Sequence, residues 1–139
     1  MTAYLLDTNH LSPFVTLEHP LRIRILEQLE NGDSFSTCTP IVTELLFGIG
    51  TLPRAKITFA EWQRLRPFLF YYTIEERDAE LAAELQISLR KRGRQLETAD
   101  AMIAAIALRN ELTILTTDND FKSVPGLLTK NWRTSEGQE

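Results

Sequence analysis

Short apolar segments alternate with longer segments of helical periodicity along most of this chain of 139 residues. A strand followed by a helix and then by another strand normally pairs in parallel, and the helix packs across the sheet. The alternation therefore predicts an α/β fold with a parallel sheet and helices on both of its faces. The five predicted strands are residues 3–6, 34–38, 68–73, 112–116 and 127–130.

Helical spacing of apolar residues predicts helices over 21–29, 40–49, 59–65, 78–89 and 99–108. The strand at 68–73, with the sequence FLFYYT, is almost wholly apolar. Such a run is typical of a strand that is covered on both faces, so we expect its aromatic side chains in the core. Residues 134–139 are polar and are expected to form a frayed tail after a domain that spans 1–133.

Composition excludes several classes of protein. Cys38 is the one cysteine, so a framework of internal disulfides is excluded, and with two histidines it does not supply a Cys/His structural zinc site. The first ten residues lack a basic leader and carry Asp7 inside their apolar run, which argues against a signal peptide. We therefore expect a soluble, cytoplasmic domain. The net charge of −4 argues against a surface that attracts nucleic acid everywhere, but allows a local basic patch.

Carboxylates recur where the predicted strands end. Asp7 follows the first strand, Asp118 and Asp120 follow the fourth, Asp100 lies in the first turn of a helix, and Glu44 lies in an otherwise apolar helix. Ligands of open α/β sheets bind beyond the carboxyl ends of the strands. These positions therefore predict one acidic site.

Each carboxylate also has a structural interpretation. Asp7 is suited to capping a following helix, and Asp100 would be favoured by the dipole of its helix. The Asp118–Asn119–Asp120 run is typical of a turn. Glu44 has apolar neighbours in the sequence, so its structural alternative is a buried ion pair.

Carboxylates that converge repel one another, and a divalent cation relieves that repulsion. A ligand set of oxygen atoms without histidine or cysteine favours Mg²⁺ or Mn²⁺. Such sites hydrolyse phosphodiesters by activating water and by neutralising charge on the phosphate. The carboxylates thus indicate a metal-dependent hydrolase acting on phosphodiester bonds.

Four sequence blocks carry a resemblance to a known family. They are LLDTNHL at 5–11, TELLFGI at 43–49, ETADAMIAAIAL at 97–108, and LTTDNDF at 115–121 with VPGL at 124–127 and Asn131-Trp132. In this order, they resemble the PIN-domain ribonucleases, in particular the VapC-type toxins of toxin–antitoxin pairs. The blocks nearly span the chain.

The resemblance implies a single PIN-like domain with a five-stranded parallel sheet in an α/β/α sandwich. It also implies an endoribonuclease that uses Mg²⁺ or Mn²⁺ to cleave single-stranded or loop RNA. Asp7, Glu44 and Asp100 match the first three acidic residues of the family. The fourth is Asp118 or Asp120, and we favour Asp118 because it lies nearer to the end of the strand.

The chemistry of these groups suggests roles for the site residues. Asp7 and Asp100 are expected to bind the metal directly, Asp118 or Asp120 to complete its shell partly through water, and Glu44 to orient or deprotonate the attacking water or to bind a second ion. Polar neighbours of these carboxylates are expected to fix their rotamers. Those neighbours are Thr8, Asn9 and Thr116.

A dense basic cluster precedes the helix that carries Asp100, and it is expected either to bind RNA phosphates or to form a solvated helix end. Its members are Arg90, Lys91, Arg92 and Arg94. His10 is expected to begin a helix near the site, and the sequence leaves Trp62 and Trp132 open between core and interface.

The resemblance further implies a VapB-type antitoxin as partner and a homodimer or toxin–antitoxin hetero-oligomer, with apolar residues of 11–17 and 45–52 as candidate contact surfaces. Two alternatives remain at this stage. One is a DNA-directed enzyme similar to PIN-type or 5′-nucleases. The other is an inactive PIN fold that only binds RNA or protein, although this chain has kept the acidic positions.

Overall fold

The computed structural model describes residues 1–133, in which five strands form one parallel sheet. The predicted polar tail, 134–139, lies outside the described residues. The strands lie side by side in the order β3-β2-β1-β4-β5. In chain order they are β1 (Ala3–Leu6), β2 (Ser34–Cys38), β3 (Phe70–Tyr72), β4 (Thr113–Leu115) and β5 (Thr129–Lys130).

Six α-helices and two short 3₁₀ helices connect the strands. None of the helices in residues 1–133 is both long enough and apolar enough to cross a membrane. The 3₁₀ helices are Arg66–Phe68 and Asn119–Ser123. The α-helices are α1 (Thr8–Phe14), α2 (Pro20–Glu30), α3 (Thr39–Gly50), α4 (Ala55–Leu65), α5 (Glu76–Lys91) and α6 (Thr98–Arg109).

The connections place the helices on both faces of the sheet. The chain moves outward from β1 through β2 to β3, and then returns across the sheet to β4 on the other side of β1. Because crossovers between parallel strands are right-handed, α1–α4 cover one face while α5 and α6 cover the other. The predicted α/β fold with a five-stranded parallel sheet is confirmed. Its strand order reverses between β1 and β4, which is where ligands bind in such sheets.

The expectation that 68–73 forms a strand covered on both faces is wrong. Only Phe70–Tyr72 is a strand, and it pairs on one side, with β2. It therefore lies at the edge of the sheet, where Phe70 is 63% exposed and Tyr71 is 44% exposed. Phe68 belongs to a 3₁₀ helix and is also exposed, whereas Tyr72 packs against the core. The apolar character of the segment does not reveal its place at an edge.

An aromatic group closes the core beside β1 and β2. The rings of Tyr4 and Phe35 are stacked, with their centroids 5.2 Å apart. Trp132 meets Tyr4 edge to face at 5.0 Å, and the guanidinium of Arg24 lies 4.0 Å from the centroid of its ring. Trp132 and Trp62, which the sequence left open between core and interface, are both buried core residues.

A buried ion pair fastens α5 to α6. The carboxylate of Asp78 is fully buried and accepts two hydrogen bonds from Arg109, of 2.6 Å from Nε and 3.0 Å from Nη2. Burial works to raise the pKa of Asp78, but Arg109 and the backbone of Glu75 outweigh it, so this pKa lies below its ordinary value. Because α6 carries Asp100, this pair anchors one of the predicted site residues.

We expect Arg109→Ala to lower the free energy of unfolding by about 3 kcal/mol at pH 7, because it leaves the Asp78 charge buried without its partner. For a domain of this size the melting temperature should fall by about 10 °C. The pair stabilises the fold above the unfolded pKa of about 3.9, so the difference should shrink as the pH falls through the lowered pKa of Asp78. Thermal unfolding followed by circular dichroism measures both.

The matched control is Arg77→Ala. Arg77 forms an ion pair of 3.0 Å with Glu75 in which both side chains are more than half exposed. Exposed pairs contribute less than about 1 kcal/mol, so this variant should melt within a few degrees of the wild type. Equal losses for the two variants would contradict a special role for the buried pair.

Candidate active site

Four carboxylates lie at the carboxyl edge of the sheet. Asp7 follows β1 and begins α1, Asp118 follows β4 and caps the 3₁₀ helix that contains Asp120, and Asp100 lies in the first turn of α6. The backbone N–H of Asp7 donates to the carbonyl of Leu115 at 3.0 Å, which joins the ends of β1 and β4. The carboxylates therefore lie at the point where the strand order reverses.

Three of these carboxylates approach one another closely. One oxygen each from Asp100, Asp118 and Asp120 lies within 4.8 Å of the other two. The sequence left open whether Asp118 or Asp120 belongs to the site, and the structure places both of them in this acidic group. Asp118 Oδ1 also accepts the backbone N–H of Asp120 at 2.8 Å, so the turn itself holds the two residues together.

Asp7 lies beside the acidic group and is buried, with its two oxygens held separately. Oδ1 accepts the backbone N–H of Thr8 at 2.9 Å, so Asp7 also caps α1. Oδ2 accepts hydrogen bonds from Thr116 Oγ1 at 2.7 Å and from Asn9 Nδ2 at 3.3 Å. Burial raises the pKa of Asp7, and the charges of Glu44 and Asp118 act in the same direction. The three polar neighbours fix the rotamer of this carboxylate.

Asp100 is partly buried and lies among negatively charged side chains. Burial is the main cause, and repulsion from Asp118, Asp7, Glu44 and Glu97 adds to it, so the pKa of Asp100 rises to about 6. A cation that binds here would oppose all of these contributions, because it stabilises the ionised form. The oxygen donors of the acidic group suit a hard divalent cation, so the residues present fit Mg²⁺ or Mn²⁺.

Glu44 occupies a different environment from the apolar one expected. The buried stripe of α3 consists of Ile41, Leu45 and Ile49, and Glu44 lies outside it and is exposed. Its Oε1 accepts a hydrogen bond of 2.6 Å from Thr8 Oγ1. The expectation of a costly buried carboxylate is wrong, because its apolar sequence neighbours include side chains that are themselves exposed. Glu44 is nevertheless linked to the start of α1, beside Asp7, through its hydrogen bond with Thr8.

The basic cluster divides into two pairs in the structure. Helix α5 ends in a Schellman motif, in which Gly93 has a φ of +75° and the N–H of Arg94 donates to the carbonyl of Leu89 at 2.9 Å. This turn brings Arg94 back beside Arg90. Together they line a cleft of about 640 Å³, whose lining does not include Lys91 or Arg92.

The cleft and the acidic group are connected through a short, braced loop. Gln86 Nε2 donates to the carbonyl of Leu96 at 2.9 Å and to Thr98 Oγ1 at 3.2 Å. Thr98 begins α6, the helix that carries Asp100. The side chain of Gln86 therefore joins the loop of the cleft to the start of α6.

His10 is the residue whose importance the sequence interpretation missed. It lies in α1, as expected, but it is fully buried and contacts Trp132, which lies 122 residues further along the chain. Burial, followed by the charges of Arg133 and Arg24, lowers the pKa of His10 to about 4, so it is neutral at physiological pH. The local sequence contains no sign of so distant a partner.

Solved structures with the same fold include toxin–antitoxin proteins. VapBC2 from Rickettsia felis, bound to a DNA fragment from its promoter, matches with a TM-score of 0.81 and 20% identity over 94% of this chain and 99% of that one. DNA-bound VapBC from Salmonella typhimurium matches with a TM-score of 0.79 and 21% identity, over 95% of this chain and 99% of that one. VapC20 from Mycobacterium tuberculosis, a toxin that cleaves the sarcin–ricin loop, matches with a TM-score of 0.62 and 15% identity. That match covers 88% of this chain and 95% of that one.

At these identities the structural likeness establishes a shared fold. A search of curated proteins found no match to the sequence. The model of the PIN domain, by contrast, matches residues 4–127, which include all but the first residue of β1, the acidic positions and the turn after β4. With the fold and the sequence match in agreement over nearly the whole described chain, this protein belongs to the PIN domain family.

Proposed function

We propose that this protein is a metal-dependent endoribonuclease that cleaves single-stranded or loop RNA, and that it is the VapC-type toxin of a type II toxin–antitoxin pair. The observation that carries the proposal is the convergence of Asp100, Asp118 and Asp120 beside Asp7 within a PIN fold. The likeness to VapC20, described as a toxin that cleaves the sarcin–ricin loop, supports our choice of RNA as the substrate class.

The geometry suggests a division of work among the carboxylates. Asp100, Asp118 and Asp120 would hold a Mg²⁺ or Mn²⁺ ion together with Asp7, whose rotamer Thr116 and Asn9 fix. When bound, such an ion supplies activation of water and neutralisation of charge on the scissile phosphate. Glu44 is exposed, and its Oε1 is bonded to Thr8, the residue after Asp7, so its other carboxylate oxygen would take the proposed role of orienting or deprotonating the attacking water.

The partner surfaces are proposed from exposed apolar residues. Helix α3 presents Leu46 and Phe47 to solvent, and Leu52, which follows that helix, is exposed as well. In the other candidate segment Leu17 is exposed, whereas Leu11 is buried. These side chains suit contact with a VapB-type antitoxin or with a second copy of this chain. The similar VapBC structures support an antitoxin partner. We place the nuclease activity in a domain of residues 1–133, acting in the cytoplasm, where RNA substrates occur.

Cleavage of a single-stranded RNA should require Mg²⁺ or Mn²⁺ and should stop in EDTA, because the ligand set is composed of oxygen atoms. A DNA strand of the same sequence should survive. Gel analysis of labelled RNA and DNA, incubated with metal-stripped protein and then with each added ion, measures both preferences. Full activity of the metal-free protein would contradict the metal model, and preferred cleavage of DNA would favour a DNA-directed enzyme.

Asp100→Asn should abolish this cleavage and leave the melting temperature in EDTA equal to the wild-type value or higher at pH 7.5. The folded pKa of about 6 lies above the unfolded value, so wild-type stability should decrease as the pH rises from about 4 to 6. The variant should lack that decrease. Purified in parallel, it also controls for contaminating ribonuclease, and a large loss of melting temperature would instead identify Asp100 as structural.

Neutralising the cleft pair, Arg90→Ala with Arg94→Ala, should weaken RNA binding and flatten its salt dependence. Two phosphate contacts on a single strand correspond to a slope change of about 1.4 in a plot of log affinity against log salt. Fluorescence anisotropy with labelled RNA in the Asp100→Asn background measures binding without cleavage. With Asp100 intact, the turnover of the Arg90→Ala, Arg94→Ala variant at saturating RNA should fall much less than its affinity, because its acidic group is unchanged.

The charge-matched control is Lys91→Ala with Arg92→Ala, which removes two positive charges outside the cleft. Its slope should stay near the wild-type value if the cleft holds the RNA. Equal slope changes in the two double variants would indicate that the whole cluster attracts RNA without a defined site. If both double variants keep the wild-type slope, the cluster is a solvated helix end.

A further inference from the structure

A buried histidine connects the segment after β5 to the acidic site. The backbone N–H of Trp132 donates to His10 Nε2 at 3.0 Å, and His10 Nδ1 lies 2.7 Å from Asn9 Oδ1. His10 has no exposed surface, and Trp132 is almost completely buried. In such surroundings each of these hydrogen bonds matters, because a polar group that loses its partner has no water to replace it.

The donor at Trp132 determines the tautomer of the ring. A backbone N–H can only donate, so Nε2 of His10 must accept and carries no hydrogen. The ring hydrogen of the neutral imidazole therefore lies on Nδ1, which donates to Asn9 Oδ1. The direction of both hydrogen bonds follows from the single contact with Trp132.

The same logic then determines the orientation of the Asn9 amide. Its Oδ1 accepts from His10 Nδ1 and from the backbone N–H of Thr117, at 3.1 Å. Since both neighbours of that atom are donors, it must be the oxygen, and the amide nitrogen must face Asp7 Oδ2. A chain of hydrogen bonds thus runs from Trp132 through His10 and Asn9 to the carboxylate of Asp7.

The segment after β5 is held at more than one point. Arg133 Nη1 donates to the backbone carbonyl of Asn9 at 2.9 Å, and the guanidinium of Arg24 stacks over the ring of Trp132. Asn9 therefore accepts a hydrogen bond from Arg133 at its backbone carbonyl and one from His10 at its side chain. Its position depends on the end of the described chain as well as on its own helix.

We propose that His10 is a positioning residue, which orients Asn9 so that Asp7 presents its carboxylate for a divalent cation, and which makes that site depend on the segment following β5. The inference rests on the proposed function for the presence of the cation at Asp7. Hydrogen bonds behind a metal ligand typically change metal affinity by 10- to 100-fold when they are removed.

Two substitutions separate the halves of the connection. His10→Gln keeps an acceptor near the position of Nε2 for Trp132 but loses the donor to Asn9. His10→Asn keeps a donor near the position of Nδ1 for Asn9 but leaves the Trp132 N–H without an acceptor. We expect the Gln variant to bind Mn²⁺ at least tenfold more weakly with a small loss of melting temperature, and the Asn variant to keep its Mn²⁺ affinity within about threefold while melting earlier.

The measurements are isothermal titration calorimetry with Mn²⁺ in the absence of RNA, and thermal unfolding in EDTA. Trp132→Phe is the control for general destabilisation, because it reduces packing in the same place and retains the backbone N–H. It should melt earlier and keep its Mn²⁺ affinity. Asn9→Ala should reproduce the affinity loss of His10→Gln, and the double variant should lose no more than either single variant.

The possible results distinguish this inference from the proposed function. If the wild type fails to bind Mn²⁺, the proposed function and the inference both fail. If the wild type binds but His10→Gln binds equally well, or if affinity follows melting temperature across all variants, only the positioning role is overturned. Nitrogen-15 spectra of the metal-free wild type give an independent check, since a ring hydrogen on Nε2 would overturn the connection directly.

Discussion

The pairing of β1 with β4 is the interaction on which the acidic site depends. Asp7 is joined to β4 by its backbone N–H, which donates to Leu115, and by its side chain, which accepts from Thr116 across 109 residues of sequence. Parallel strands place their carboxyl ends at one edge, so this pairing brings the turn that holds Asp118 beside Asp7. Helix α6 then adds Asp100 to these carboxylates.

Repulsion among the converging carboxylates opposes folding. Contacts elsewhere in the fold offset this cost. Burial and four negative neighbours raise the pKa of Asp100 to about 6. Its helix is held in place by the Asp78–Arg109 pair at the far end and by the Gln86 contacts near its start. Binding sites commonly carry such local destabilisation, because charges placed for a ligand repel one another without it.

The sequence predicted the order of the elements and the positions of the carboxylates, because both follow from local periodicity and from the geometry of parallel sheets. It did not predict the exposure of Phe70 or Glu44, since exposure depends on which strand lies at the edge and which side of α3 faces inward. The Trp132–His10 contact was also not predictable from the sequence, because it joins residues that meet only in the folded chain. Long-range hydrogen bonds have no local sequence signal.

The acidic site and the basic cleft are opposite in charge, yet they share one short connection. The chain leaves α5 at the Schellman motif that pairs Arg90 with Arg94, passes the loop braced by Gln86, and enters α6 two residues before Asp100. Under the proposed function, a phosphate bound by Arg90 and Arg94 would lie one short, hydrogen-bonded segment away from the carboxylates. In a chain of net charge −4, we propose that this pair supplies a local attraction for RNA next to the proposed site of cleavage.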